Sequence, residues 1–484
     1  MRLVELIERF GGECIAKEGA SEHVAIQGIR HDSREIRRGE LFVALDGDHH
    51  RGLGFIPDAI GRGAAAVLAS ERVECEVPLW IVPDPEALFG PIAEAIYGEP
   101  TRSLRVFGVT GTNGKTTIAH LISESLARSG RRVATIGTGA LRFEGLVESS
   151  PFTTPFGDRI SRFAREALDA GATDLVMEVS SHALAQRRAD GVRFDFAAFS
   201  NLTRDHLDYH ETFEAYQEAK ERLLFELAPR SVINIDDPAG RAIAERLGER
   251  ALRVSTRDAS AEIFASKLHF DQGGISAELK TPFGPFALRS PLHGAYNLEN
   301  LLVALGLGIL AGEGRAFAEA LSEVGPAKGR LEAVDHPVGA KIYVDYAHTP
   351  DALRGAIEAL RPLSSGRLIV VFGCGGDRDR GKRPEMGAIA SKSADVVVLT
   401  SDNPRSEDPT RIIEEIRAGA EEGSATLYTE EDRAKAISLA LGLARADDLI
   451  LVAGKGHEDY QIIGDERLRF DDREVIEDAL RRLP

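Results

Sequence analysis

Residues Gly111-Thr112-Asn113-Gly114-Lys115-Thr116-Thr117 set two glycines, a lysine and three hydroxyls within seven positions. That spacing suits a nucleotide phosphate. The glycines let backbone N–H groups approach the anion, Lys115 adds a point charge, and the Thr116 hydroxyl can hold Mg²⁺. The strict Walker spacing asks for glycine where Val109 stands, so this is a shorter phosphate loop, and it predicts ATP or GTP binding. Glu178 ends an apolar run, where a nucleoside triphosphatase keeps the acid that organises Mg²⁺. Residues 203–210 pack two His and two Asp behind a strand, a density suited to metal or phosphate work.

Other polar groups are more ambiguous. Asn297 and Asn300, three apart, share a helix face, either to read an adenine edge or to serve as caps. Lys220 follows Tyr216 on a helix whose apolar face includes Leu223 and Leu224, and a helical lysine is expected at the surface. Three charged loops, residues 375–383, 402–405 and 454–458, each follow a strand. Their mixture of guanidinium, carboxylate and amide suits an amino-acid ligand bearing both signs of charge.

A phosphate loop must be presented by a strand and continued by a helix. Residues 104–110 supply the strand, and Ile118, Leu121, Ile122 and Leu126 supply a helix face that Gly130 stops. Strands 133–137, 174–180 and 194–199 alternate with helices such as 160–170. This predicts a parallel sheet covered on both faces, with Thr116, Glu178 and Asn201 meeting at its carboxyl edge. Before it, strands 39–47 and 65–68 and helices near 56–60 and 92–96 end at Gly98-Glu99-Pro100. After a pause at 325–330, strands 342–345, 368–372, 396–400 and 449–453 begin a new series, with Thr349-Pro350 opening a helix. The expectation is an α/β chain of three domains: a smaller one at 1–102, a phosphate-loop ATPase-like domain with a mostly parallel sheet at 103–330, and a Rossmann-like one at 331–484.

The composition excludes several classes. No apolar run approaches the ~20 residues that span a bilayer, and acids interrupt the amphipathic N-terminus, so neither a membrane segment nor a signal peptide is expected. The net charge of −18 disfavours non-specific nucleic-acid binding. Cys14, Cys75 and Cys374 lack metal-ligand spacing and suit a reducing compartment, which predicts a cytoplasmic protein, read here as a monomer.

Together these motifs resemble the Mur ligase family across essentially the whole chain. The resemblance rests on 111–117, Glu178-Val179-Ser180-Ser181-His182, Asn201-Leu202-Thr203-Arg204-Asp205-His206 and Tyr216 with Lys220. It also rests on His293-Gly294 with Asn297, Asp345-Tyr346-Ala347-His348-Thr349-Pro350, and Gly454-Lys455-Gly456-His457-Glu458. Asp32-Ser33-Arg34 with residues 39–44 is similar to members that add the third residue to UDP-N-acetylmuramoyl-L-alanyl-D-glutamate, and Asp402-Asn403-Pro404-Arg405 to those that use meso-2,6-diaminopimelate in place of L-lysine. The resemblance implies an ATP- and Mg²⁺-dependent amide ligase acting through an acyl phosphate.

The resemblance also implies the sites. Lys115, His206 and Lys220 would be catalytic, with Gly111, Thr112, Asn113, Gly114, Lys115, Thr116, Thr117, Asn297, Arg330 and Asp345 on ATP. Thr116, Glu178, His206 and Lys220, the last as a carbamate (N6-carboxylysine), would hold the metal. Ser33, Asp48, His49 and His50 would meet the uridine diphosphate; Thr153, Thr154, Ser180, Gln186 and Arg188 the muramoyl peptide. Phe152 departs from relatives with a polar residue there. Arg378, Asp402, Asn403, Pro404, Arg405, Gly454 and Glu458 would hold diaminopimelate. Folylpolyglutamate synthetase and a phosphate-loop switch or motor are the rival expectations.

Overall fold

The apolar runs pair into three large sheets and one short hairpin among the described residues, 1–16, 23–47, 50–335 and 339–482, of a computed structural model. Strand Arg105–Thr110 lies inside an eleven-stranded sheet, between Asp174–Glu178 and Phe196–Phe199, both parallel to it. Val133–Gly137 continues the parallel set on one side; Ser231–Asn234, Ala251–Ser255 and Ile263–Asp271 continue it on the other. Antiparallel hairpins extend both ends, Ala140–Phe143 with Leu146–Ser149, and Gly274–Lys280 with Phe286–Ser290. The α/β alternation gives no sign of them, because antiparallel neighbours need no crossover helix.

Successive side chains of the phosphate-loop strand enter opposite cores. Val106 packs with Ile160 and Phe163, whereas Phe107 and Val109 pack with Ile118, Ile122 and Leu301. Helices therefore cover both faces, and the polar residues gather at the carboxyl ends of the strands.

Lys220 departs from the surface expectation: it is only 1% exposed. Helix Phe213–Arg222, capped by the Thr212 hydroxyl, turns Tyr216 and Lys220 onto one face, and that face is the buried one. The same periodicity that marks the apolar stripe carries the lysine inward.

The sheet nearest the C-terminus runs Glu332–Asp335, Lys341–Asp345, Leu449–Ala453, Leu368–Phe372, Val396–Leu399, Thr426–Thr429, parallel except for its first strand. Thr349 caps helix Pro350–Leu360, with proline at its first position. The sheet nearest the N-terminus has five short strands, and the expected strand 39–47 shortens to Glu40–Val43. Its neighbours Gly28–Arg30 and Ala66–Ala69 offer no longer ladder to pair with.

Candidate functional site

The phosphate loop is pinned from behind. Thr112 N–H donates to the Asn201 carbonyl at 2.9 Å, and Asn113 N–H donates to Asn201 Oδ1 at 3.0 Å. Gly111 and Gly114 have φ of 145° and 88°, and Gly114 starts helix Lys115–Arg128. A Cβ on Gly111 would stand 1.9 Å from Ser200 Oγ, and one on Gly114 would stand 2.4 Å from Asn300 Oδ1. Both positions require glycine for close approach as well as for backbone angle.

Two lysines converge on one oxygen. Lys115 Nζ donates to the Gly111 carbonyl at 2.9 Å and to the Thr112 carbonyl at 2.8 Å, while Lys220 Nζ donates to the Gly111 carbonyl at 2.8 Å. Lys220 also lies 4.5 Å from the Tyr216 ring centre. Burial, then the charge of Lys115, pushes the Lys220 amine well below its ordinary value. Among the described residues neither lysine forms an ion pair with a carboxylate, and both donate to backbone carbonyls.

Thr116 and Glu178 meet directly, with Thr116 Oγ1 donating to Glu178 Oε2 at 2.8 Å. Thr138 N–H holds the other oxygen at 3.0 Å. The sequence reading missed Thr138; its signal was its place just past the end of the neighbouring strand. The His206 ring sits 3.3 Å from Asp205 and edge-on to His182. Burial outweighs Asp205 and pushes His206 down to about 3. Against the upward push of burial, His206, His348 and Lys382 hold Asp205 below the usual carboxylate range. No three His, Cys, Asp or Glu side chains gather into a metal-binding group among the described residues. A hydroxyl and one carboxylate beside a phosphate loop nevertheless fit Mg²⁺, which takes one or two carboxylates and completes its shell with phosphate and water.

Arg330 bridges to this centre. Its guanidinium donates to Thr116 Oγ1 at 3.1 Å and lies 4.6 Å from the Tyr346 ring centre. Asp345 accepts from Leu331 N–H at 2.7 Å and Ala347 N–H at 2.8 Å; its burial raises its pKa. Asn297 and Asn300 are buried and bonded to one another at 3.1 Å, and Asn297 donates to the His293 carbonyl at 2.8 Å. Asn300 also backs Gly114, so the pair abuts the phosphate loop.

A second group lies beside Glu178. The Thr154 hydroxyl donates to the Glu178 carbonyl at 2.9 Å and accepts from Ser180 N–H at 3.0 Å. Thr153 and Thr138 hydroxyls are 3.2 Å apart. Arg188 donates to Gln186 Oε1 at 2.9 Å and to the Thr154 carbonyl at 3.2 Å. Ser33, buried, begins a short helix capped by Asp32, and the His50 ring meets Phe55. Asp48 and His49 lie outside the described residues.

The third group is built on a lysine that sequence reasoning left without a role. Buried Lys455 Nζ reaches Asp402 and Glu458 at 3.3 Å each and Asn403 Oδ1 at 3.1 Å. Asn403 Nδ2 donates to Glu458 at 3.0 Å. Burial, then Asp402, raises the Glu458 pKa. Arg405 donates to the Gly376 carbonyl at 2.7 Å, and the Pro404 carbonyl would stand 1.9 Å from a Cβ on Gly376. Gly454 has φ of 118° and faces Asp402, whereas Arg378 is exposed and donates to the Asp377 carbonyl at 3.5 Å. The three charged loops thus meet, with Arg378 at their edge.

Comparisons with known proteins cover nearly the whole chain. Residues 25–96 match the Mur ligase family catalytic domain, 109–308 the Mur ligase middle domain, and 329–456 the Mur ligase glutamate ligase domain. A relative from Synechococcus sp. (strain WH7803), named UDP-N-acetylmuramoyl-L-alanyl-D-glutamate--2,6-diaminopimelate ligase, is 46% identical over 480 residues, 95% of each chain. A solved structure of a ligase of that name superimposes with a TM-score of 0.70 at 35% identity, covering 96% of this chain and 97% of the other. The MurF ligase from Thermotoga maritima in complex with ADP shares the fold, with a TM-score of 0.67 at 20% identity over 95% and 99% of the two chains.

Proposed function

This chain belongs to the Mur ligase family, and we propose that it joins meso-2,6-diaminopimelate to UDP-N-acetylmuramoyl-L-alanyl-D-glutamate at the expense of ATP, in peptidoglycan precursor synthesis. The observation that carries this reading is the pairing of a phosphate loop and its two lysines with a separate pocket of mixed charge at Asp402, Asn403, Arg405, Lys455 and Glu458. Residues 1–102 would bind the uridine diphosphate, 103–330 ATP, and 331–484 the amino acid.

The loop N–H groups and Lys115 orient the γ-phosphate, which the γ-carboxylate of D-glutamate attacks to give an acyl phosphate and ADP. The amine of diaminopimelate then attacks the acyl carbon, phosphate leaves, and an amide remains. Mg²⁺ carried in with ATP would be held by Thr116, Glu178, His206 and Lys220 as its carbamate, and would neutralise phosphate charge. Burial and Lys115 favour the neutral Lys220 amine, the form that adds to CO₂ with loss of one proton. Arg330, Asp345 and Asn297 line the nucleotide. Thr153, Thr154, Ser180, Gln186 and Arg188 meet the muramoyl peptide. No described helix is long and apolar enough to cross a membrane.

Phosphate release tests this reading. ATP with both substrates should release phosphate and form the tripeptide nucleotide, while ATP alone should release almost none. Equal release without substrates would instead indicate a phosphate-loop switch.

A further inference from the structure

Arg188 is a buried guanidinium that forms no ion pair among the described residues. Two of its N–H groups go to Gln186 Oε1 and a third to the Thr154 carbonyl. A guanidinium has five donors, so each terminal nitrogen keeps one N–H for a further acceptor, and a carboxylate is the one its charge favours. Burial lowers its pKa to about 10, as for a cation lacking its anion.

What holds this cation is aromatic. The guanidinium carbon lies 4.2 Å from the Phe152 ring centre and 4.5 Å from that of Phe156. The two rings are 5.9 Å apart at 79°, so the guanidinium occupies the corner between them. Phe156 in turn stacks on His31 at 4.1 Å, and His31 meets Phe89 edge-on. Phe156 is thus backed by the N-terminal sheet. Phe152 remains 40% exposed, so its ring forms the solvent-side wall of the corner.

We propose that Phe152 is a positioning residue for the muramoyl dipeptide, its ring holding Arg188 dry and oriented to take the α-carboxylate of D-glutamate, the carboxylate that does not react. The inference rests on the substrate assignment above.

The test compares the natural dipeptide nucleotide with its α-carboxamide analogue in steady-state kinetics on the full chain. The unaltered protein should prefer the carboxylate by about tenfold or more in kcat/KM, as charge-assisted bonds require. Phe152→Ala should raise KM for the dipeptide nucleotide about fivefold or more, leave KM for ATP unchanged, and shrink the carboxylate preference. Phe152→Leu, which keeps apolar bulk without a π face, should behave like the alanine variant, whereas Phe152→Trp should restore the preference. An undiminished preference in the alanine and leucine variants overturns the proposal, as does an absence of preference in the unaltered protein. Failure of the unaltered protein to use the dipeptide nucleotide at all would instead overturn the substrate assignment.

Discussion

Lys115 and Lys220, 105 positions apart in the chain, donate to the same carbonyl oxygen, that of Gly111, at 2.9 and 2.8 Å. Lys115 has the Thr112 carbonyl as a second acceptor, whereas fully buried Lys220 has only the shared one beside a like charge, so the site favours a neutral or modified Lys220.

Lys220→Met should accordingly lower kcat by about a hundredfold or more. It should leave the melting temperature unchanged or raise it, because methionine fills the space without a buried charge. Formate or acetate should restore part of the activity in Lys220→Ala. Incubation with ¹³C-bicarbonate should give a carbamate NMR signal absent from Lys220→Ala. That signal should grow as pH rises and the amine loses its proton. An active protein without the signal would sink the modification.

Arg405 stands at φ 52° with its guanidinium turned over Gly376, next to the Asp402, Asn403, Lys455 and Glu458 group. Diaminopimelate differs from L-lysine by a distal carboxylate, which a guanidinium meets with two bonds, while lysine would leave that guanidinium without its anion. Arg405→Ala should raise KM for diaminopimelate by about tenfold or more and leave KM for ATP and the uridine nucleotide nearly constant. Equal use of L-lysine by the unaltered protein would contradict this.

The segment between the second and third sheets carries Gly329 at φ 67° and Leu331 at φ 46°. A Cβ on Gly329 would stand 2.2 Å from the His457 nitrogen and 2.3 Å from the Gly456 carbonyl carbon. Gly329→Ala should cost at least about 1–2 kcal/mol locally and hold the C-terminal lobe away from the phosphate loop. Small-angle scattering should show the unaltered protein compacting with an ATP analogue and the dipeptide nucleotide, and the variant compacting less. Identical profiles with and without ligands would show that no closure about residues 325–329 takes place.

Glu407 pairs with Arg380 and fully buried Arg383; hydrogen bonds from Arg383 and the Asp377 N–H, with the charge of both arginines, hold its pKa down to about 2. The folded value lies below the unfolded one of about 4.3. Its stabilisation is therefore complete above about pH 4.5 and is lost as pH falls towards 2. Glu407→Gln should cost about 1–3 kcal/mol at pH 7. It should also flatten the fall in melting temperature between pH 4.5 and 2. A variant with the full acid slope would assign that slope to other carboxylates.

Much of this protein can be read from local order. The strand, glycine pair and Lys-Thr of 105–117 announce a phosphate loop because backbone N–H groups, helix start and charge are contiguous in the chain. Thr349-Pro350 announces a helix start for the same reason. The α/β alternation yields the parallel sheets, and with them the edge where Glu178 and Asn201 meet the loop. Other features depend on contacts between distant residues, and only the tertiary structure decided them. Lys220 is inside because its helix lays the face shared with Tyr216 against the phosphate loop. Thr138 joins Glu178 because their strands are neighbours. Lys455 becomes the centre of the third pocket because two strand ends bring Asp402 and Glu458 to it. Phe152 finds Arg188 across 36 positions of sequence. Periodicity reports which face of an element is apolar, but the burial of a charge and the identity of its partner depend on what the rest of the chain lays against that face.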